Sequence, residues 1–222
     1  VYDFEKDATK LYVGGAFNNI SGQSRFGLAA YTLNNNLLDP LSIALSGGVV
    51  HDVLLSGSTI YIGGTFNNIA GSTRNRAAAV NASGVLQAWN PNVTGTVYAL
   101  AISGSRVFIG GAITQIGGIN RDNLGSVNAT TGVLDLWNPG ANGTIHDLGF
   151  TASGLYVSGE FSQIGLQTRQ RFALINTNSG AVGAISLNLT ATGVFEANIV
   201  GNWLYLSGSM YDAGSSNAFL LA

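Results

Sequence analysis

The heptapeptide LYVGGAF, Leu11 to Phe17, decides the reading of this chain because it returns four times. IYIGGTF runs from Ile60 to Phe66, VFIGGAI from Val107 to Ile113, LYVSGEF from Leu155 to Phe161 and LYLSGSM from Leu204 to Met210. Their first residues stand 49, 47, 48 and 49 positions apart. A period this constant over a whole chain marks a repeat architecture. Upstream of each copy lies a matching start: Val1-Tyr2, Val50-His51, Val97-Tyr98, Ile145-His146 and Val194-Phe195.

The third unit shows the internal pattern. Val97 to Ile102 alternates large residues, Ser103-Gly104-Ser105 turns the chain, and Arg106 to Ile109 continues as a second strand. A glycine-rich loop leads to Arg121, and a third strand is expected around Leu124 to Val127. Asn128 to Gly132 turns again, and Val133 to Trp137 reads as a fourth strand that Asn138-Pro139 ends. No helical period extends over a useful length. Four short strands in each unit of about 48 residues describe the blade of a β-propeller. A lone blade cannot bury both faces, so each packs against its neighbours. The expectation is an all-β fold, a single five-bladed β-propeller over residues 1–222. Its blades fall at roughly 1–48, 49–95, 96–143, 144–192 and 193–222. The last blade ends without its fourth strand, which suggests a part of a longer chain. A strand from elsewhere in that chain, a three-stranded last blade or a larger ring would each accommodate it.

Composition narrows the function classes. Only 9% of the 222 residues are charged, against roughly 25% in ordinary domains, which excludes a solvated disordered tail or a charged coiled coil. Nine basic residues against eleven acidic ones, with no basic cluster, leave no electrostatic footprint for nucleic acid or anionic lipid. There is no cysteine, hence no disulfide framework and no thiolate chemistry. No apolar run is long enough to insert in a membrane, and Val1 to Lys10 carries no signal-peptide pattern. No cofactor is expected.

Other residues recur with the repeat. Arg25, Arg74, Arg121 and Arg169 follow the second strand at a near-constant distance, which suits a guanidinium clamp on loop carbonyls. Trp89-Asn90-Pro91 and Trp137-Asn138-Pro139 end two fourth strands, with Leu38-Asp39-Pro40 as the degraded copy in the first unit. These tryptophans, and Trp203, read as packing residues. The paired glycines Gly14-Gly15, Gly63-Gly64 and Gly110-Gly111 mark crowding or positive φ, not a phosphate loop, since no helix follows them.

The combined pattern YVGGxFxxIxGxxRxxxAxxNxxxGxxxxWNPxxxGTVY resembles the propeller repeats of bacterial secreted and surface proteins of the delta-60 type. It is also similar to the propeller portion of the fungal cortical marker Rax2. The resemblance spans essentially the whole chain and implies an extracellular or cell-surface propeller. It implies no catalytic residues.

Two sets of residues could carry chemistry. The loops between second and third strands place Asn19, Asn68, Gln115, Gln163 and Asp212 at one repeat position. Amides that both donate and accept suit sugar hydroxyls or a peptide backbone, although such residues also cap their own turns. Glu160 joins this set because it replaces Ala16, Thr65, Ala112 and Ser209 and so breaks the repeat. The second set lies at the start of the first strands, around the channel: Asp3, His51, Asp52, His146, Asp147 and Glu196. Histidines beside carboxylates could hold a metal or run acid–base chemistry. The histidines share their place with Tyr2, Tyr98 and Phe195, however, so they read as aromatic-sized packing residues, and no metal ligand is assigned. Sequons at Asn19, Asn81, Asn92, Asn128, Asn142 and Asn188 are compatible with export.

The polar clusters follow the repeat, as scaffold residues do. The expected function is therefore a non-enzymatic binding or adhesion module at the cell surface or outside the cell, offering a loop face to a glycan or a surface protein, with neighbouring domains in the same chain. A glycan hydrolase or lyase using carboxylates near the axial channel is the alternative, and a purely structural spacer a third.

Overall fold

In the computed structural model, described for residues 1–187, 189, 191–201 and 203–210, the chain is all antiparallel β and the described residues hold no helix. Five sheets follow one another in the order of the repeats. The first is built from Asp3–Lys6, Lys10–Gly14 and Leu28–Thr32, and the second from Val50–Ser56, Thr59–Gly64 and Ala77–Asn81. Val93–Ser103, Arg106–Ile116 and Leu124–Asn128 make the third, and Ile145–Thr151, Gly154–Gly159 and Phe172–Ile175 the fourth. The fifth shows Ala191–Val200 paired with Trp203–Met210. The third strand expected for that last repeat, and Asp212, lie outside the described residues.

Sheets join through apolar clusters, one at each of the four successive junctions. At the second junction Tyr61, Ala77, Ala79 and Trp89 of one sheet meet Val97, Leu100, Val107 and Ile109 of the next. The paired glycines are set by this approach. A Cβ on Gly14 would lie 2.7 Å from Val53, one on Gly63 2.5 Å from Val97, and one on Gly110 2.6 Å from Ile145, each a residue of the following sheet. Crowding, not positive φ, therefore fixes the first glycine of each pair. Gly64 and Gly111, and Gly159 after Ser158 in the fourth sheet, stand against the carbonyls of Val49, Thr96 and Thr144, where the first strand bulges.

The fourth strand is shorter than the sequence suggests. It contracts to a single bridge in each of the first four units: Tyr31 with Leu38, Val80 with Leu86, Val127 with Leu134 and Ile175 with Val182. The recurring arginine accounts for this. Its Nη2 donates to the carbonyl of the residue just after the bridge, at Asp39, Gln87, Asp135 and Gly183, at 2.8–3.0 Å. Nη1 donates to the carbonyl of its own preceding residue. In two units the aspartate at that point also accepts the N–H two residues on, from Leu41 and from Trp137, which turns the chain out of the ladder. Arg25 and Arg121 are buried in this role.

These contacts also realign the first unit. Leu41, not Leu38, takes the place of Trp89 and Trp137, since all three lie two residues after the clamped carbonyl. Trp89 and Trp137 are 2% and 6% exposed, and each indole N–H donates to a carbonyl of the next sheet, at Asn128 and Asn176. Trp203 is not a core residue; it is 49% exposed. It opens a second strand, the position that Lys10, Thr59, Arg106 and Gly154 hold in the other sheets at the partly open sheet end.

Candidate functional site

The stretch between second and third strands, expected as a glycine-rich loop, is an ordered hairpin in each of the first four units. Its short ladders pair Asn19 with Ser24, Asn68 with Thr73, Gln115 with Asn120 and Gln163 with Thr168. The segment arriving from the preceding unit adds to three of these hairpins, through Leu45–Ser46, through Val93 and Thr94, and through a bridge from Ala141 to Ile164. The recurring amides thus sit in ladders. Asn68 Oδ1 accepts the Gly71 N–H of its own turn at 2.9 Å, and Gln115 Nε2 donates across the ladder to Asn120 at 3.1 Å. Asn19 and Gln163 are exposed, Asn68 and Gln115 partly so. The turn-capping role holds at Asn68, while Asn19 and Gln163 keep open surface. Asn81 and Asn128 of the sequons likewise accept N–H bonds from their own turns.

The first strands converge on a cavity of about 820 Å³ lined by all five sheets. In four of them the ladder register slips at the ring position, so that His51, Tyr98, His146 and Phe195 stand out of register, and the third and fifth sheets carry a second shift nearer the strand start. Tyr2 holds the same position at the start of the first sheet. A bulge re-aims a side chain, and here it brings the five rings into a row. Consecutive centroids are 5.0, 4.9, 5.3 and 4.9 Å apart from Tyr2 through His51, Tyr98 and His146 to Phe195. This collar lies at the end of the sheets from which the hairpins leave.

The acid after each ring ties one sheet to the next. Asp3 Oδ2 accepts the N–H of Val53 at 2.8 Å, Asp52 Oδ2 that of Leu100, and Asp147 Oδ2 that of Ala197 at 2.8 Å. The inner strand is a sheet edge with unpaired donors, and a buried donor needs an acceptor. The third unit has Ala99 at this position and offers no acid to Leu148. Asp147 makes good the gap, its Oδ1 accepting the Leu148 N–H at 2.8 Å.

Burial pushes the Asp147 carboxyl up to about 6, against the lowering effect of its two N–H donors. Asp52 is raised well above the usual carboxylate range, first by burial and then by the negative charge of Asp3. Burial lowers the His51 imidazole below its ordinary value. Glu196 is exposed. Among the described residues no three His, Asp or Glu side chains come together in an arrangement that could hold a metal ion.

The structure unites two residues that the sequence put in separate sets. Glu160, from the hairpin set, lies at the mouth of the collar with its Oε1 3.1 Å from Nε2 of His146. Fourteen residues separate them, and the sequence signal was the break in the repeat at Glu160, not its partner. Phe4 and Glu5, which also line the cavity, were not singled out by the sequence. Glu5 shares the strand face of Asp3, two residues earlier, while Phe4 lies on the opposite face.

Sheets stacked in series, with inner strands around one cavity, belong to a β-propeller repeat protein. In agreement, residues 10–34 and 59–86 match a family model described as a domain of unknown function (DUF5122) beta-propeller. Among solved structures the chain is similar to the crystal structure of the computationally designed Ika8 protein, at 11% identity and a TM-score of 0.63. The match covers 93% of this chain and 54% of that one, so the chain spans about half the length of the designed protein, and the likeness concerns the fold alone. No curated protein matches the sequence.

Proposed function

We propose that the chain forms a five-bladed propeller whose collar end is the binding face of a non-enzymatic module, extracellular or on the cell surface, for a glycan or protein ligand. The observation that carries this is the collar itself. Five inner strands each deliver one ring to the mouth of a single cavity, with polar hairpins around it. Aromatic rings beside hydrogen-bonding groups suit ligands with an apolar face and a polar edge. Ring closure is supported by Phe4. Its counterparts Val53, Leu100, Leu148 and Ala197 are 1–6% exposed against the preceding sheet, whereas Phe4 is 68% exposed. Docking of the last blade on this face would cover it. The surface location follows the resemblance to delta-60 and Rax2 propellers.

The Asp147 carboxyl, raised to about 6, is what favours the alternative of a glycan hydrolase or lyase. Both of its oxygens accept backbone N–H bonds, however, which suits a structural tie better than proton transfer to a substrate. The test is binding and turnover on a glycan array and on a panel of surface proteins. Capture without product release, lost in Tyr98→Ala, is the expected result. Product release that disappears in Glu160→Gln or Asp147→Asn would replace the binding reading with the enzymatic one. Capture that ignores every collar substitution would leave a spacer.

A further inference from the structure

The cavity behind the collar gathers the chain's sparse negative charge. Asp3, Glu5, Asp52, Asp147 and Glu196, five of the eleven acidic residues, line it, and its described lining contains no lysine or arginine. Burial disfavours the charge on Asp52, and the other four carboxyls line the same open cavity. Three of the five acids are already tied to backbone N–H groups, but among the described residues Glu5 and Glu196 belong to no inter-sheet tie, and Glu196 follows the collar ring Phe195 directly.

The collar adds a second and independent feature. Ring faces carry negative quadrupole charge, and a cation within about 6 Å of a centroid is attracted. Consecutive centroids 4.9–5.3 Å apart let one seated group reach two rings at once. Glu160 stands at the same mouth. Aromatic rings alone would suit a neutral sugar equally well. Rings over a carboxyl-lined cavity without basic residues discriminate by charge, and they disfavour uronic and sialic acids.

Building on the collar end as the binding face, we propose that this cavity takes a compact organic ammonium group, held by the collar rings and by Glu196 and its neighbouring carboxyls. The probe is choline, compared with its neutral isostere 3,3-dimethylbutan-1-ol by titration calorimetry on the full chain. The titration is run at pH 8, and low salt limits screening. Choline is expected to bind about tenfold more tightly than the isostere. Glu196→Gln and Tyr98→Leu are each expected to weaken it severalfold with the circular dichroism spectrum unchanged. Glu196 is exposed, so that variant keeps the test open if Tyr98→Leu fails to fold.

Equal binding of choline and isostere, or binding of neither, overturns the proposal. If neither binds while an array glycan is captured through Tyr98, the ammonium site falls and the binding face stands. If choline binds through Glu196 while array ligands ignore the collar, the site stands and the wider reading falls.

Discussion

Asp147 is the residue where sequence, packing and charge meet most closely. It supplies the tie to the next sheet that Asp3 and Asp52 supply in theirs, and it also serves the Leu148 N–H that Ala99 leaves without an acid. Burial raises its carboxyl from 3.8 to about 6. At pH below the unfolded value both states are protonated and burial carries no charge penalty. As the pH climbs towards 6 the unfolded chain ionises first, so this residue's contribution to stability falls, and above 6 the loss is complete. Two units of pKa correspond to about 3 kcal/mol at most. Asp147→Asn removes the titration while keeping one acceptor. Urea unfolding at pH 4 and pH 7 should therefore show the variant gaining about 2–3 kcal/mol on the native chain between the two. A difference that does not change with pH would contradict the burial account. The spacing of Asp3, Asp52 and Asp147 is legible in the sequence. Their partners are not, because each acceptor bonds a backbone group 48 or 50 residues away, and a backbone N–H has no sequence signature.

At the scale of elements, the hairpins changed most between sequence and structure. Glycine-rich composition suggests a loop, whereas the chain makes two-residue turns with positive φ at both positions. Ser21-Gly22, Ala70-Gly71, Gly117-Gly118 and Gly165-Leu166 occupy them, the geometry that matches strand twist in tight hairpins. Leu166 departs from this series. It holds φ 62° where the others have glycine, and it is 100% exposed, so packing does not offset the strain. Leu166→Gly is expected to stabilise the chain by about 1 kcal/mol in thermal unfolding. Destabilisation would mean that the leucine makes contacts in solution. The hairpin was hidden because its ladder is two pairs long, too short for alternation to register. The shortened fourth strand was hidden for a related reason. Val133 to Trp137 has strand composition, but Arg121 takes the Asp135 carbonyl and Asp135 takes the Trp137 N–H. The arginine was legible as a clamp from its spacing, and the carbonyl it clamps was not.

For the whole molecule, stability resides in the junctions between sheets. Each apolar cluster draws on two consecutive sheets, so loss of one exposes core on both. Calorimetry should show one cooperative transition. Gly63→Ala, which drives a methyl group into Val97 at the second junction, should lower the stability of the whole transition by about 1–3 kcal/mol. Adding Val97→Ala should recover part of that loss, since the two sites are coupled. A separate early transition in the Gly63→Ala variant would show instead that the sheets melt independently.

The sequence by itself determined the repeat, its all-β character, the arginine clamp and the equivalence of Tyr2, His51, Tyr98, His146 and Phe195. Those features follow from side-chain type and spacing along one strand or one unit, which a period makes visible. Tertiary structure alone decided that these rings touch in a collar, that Glu160 meets His146, that Leu41 stands in the tryptophan position and that Trp203 lies at an exposed strand end. Each depends on how one sheet sits against another or on a one-residue slip at a bulge. Contacts of that kind join residues that no local pattern relates.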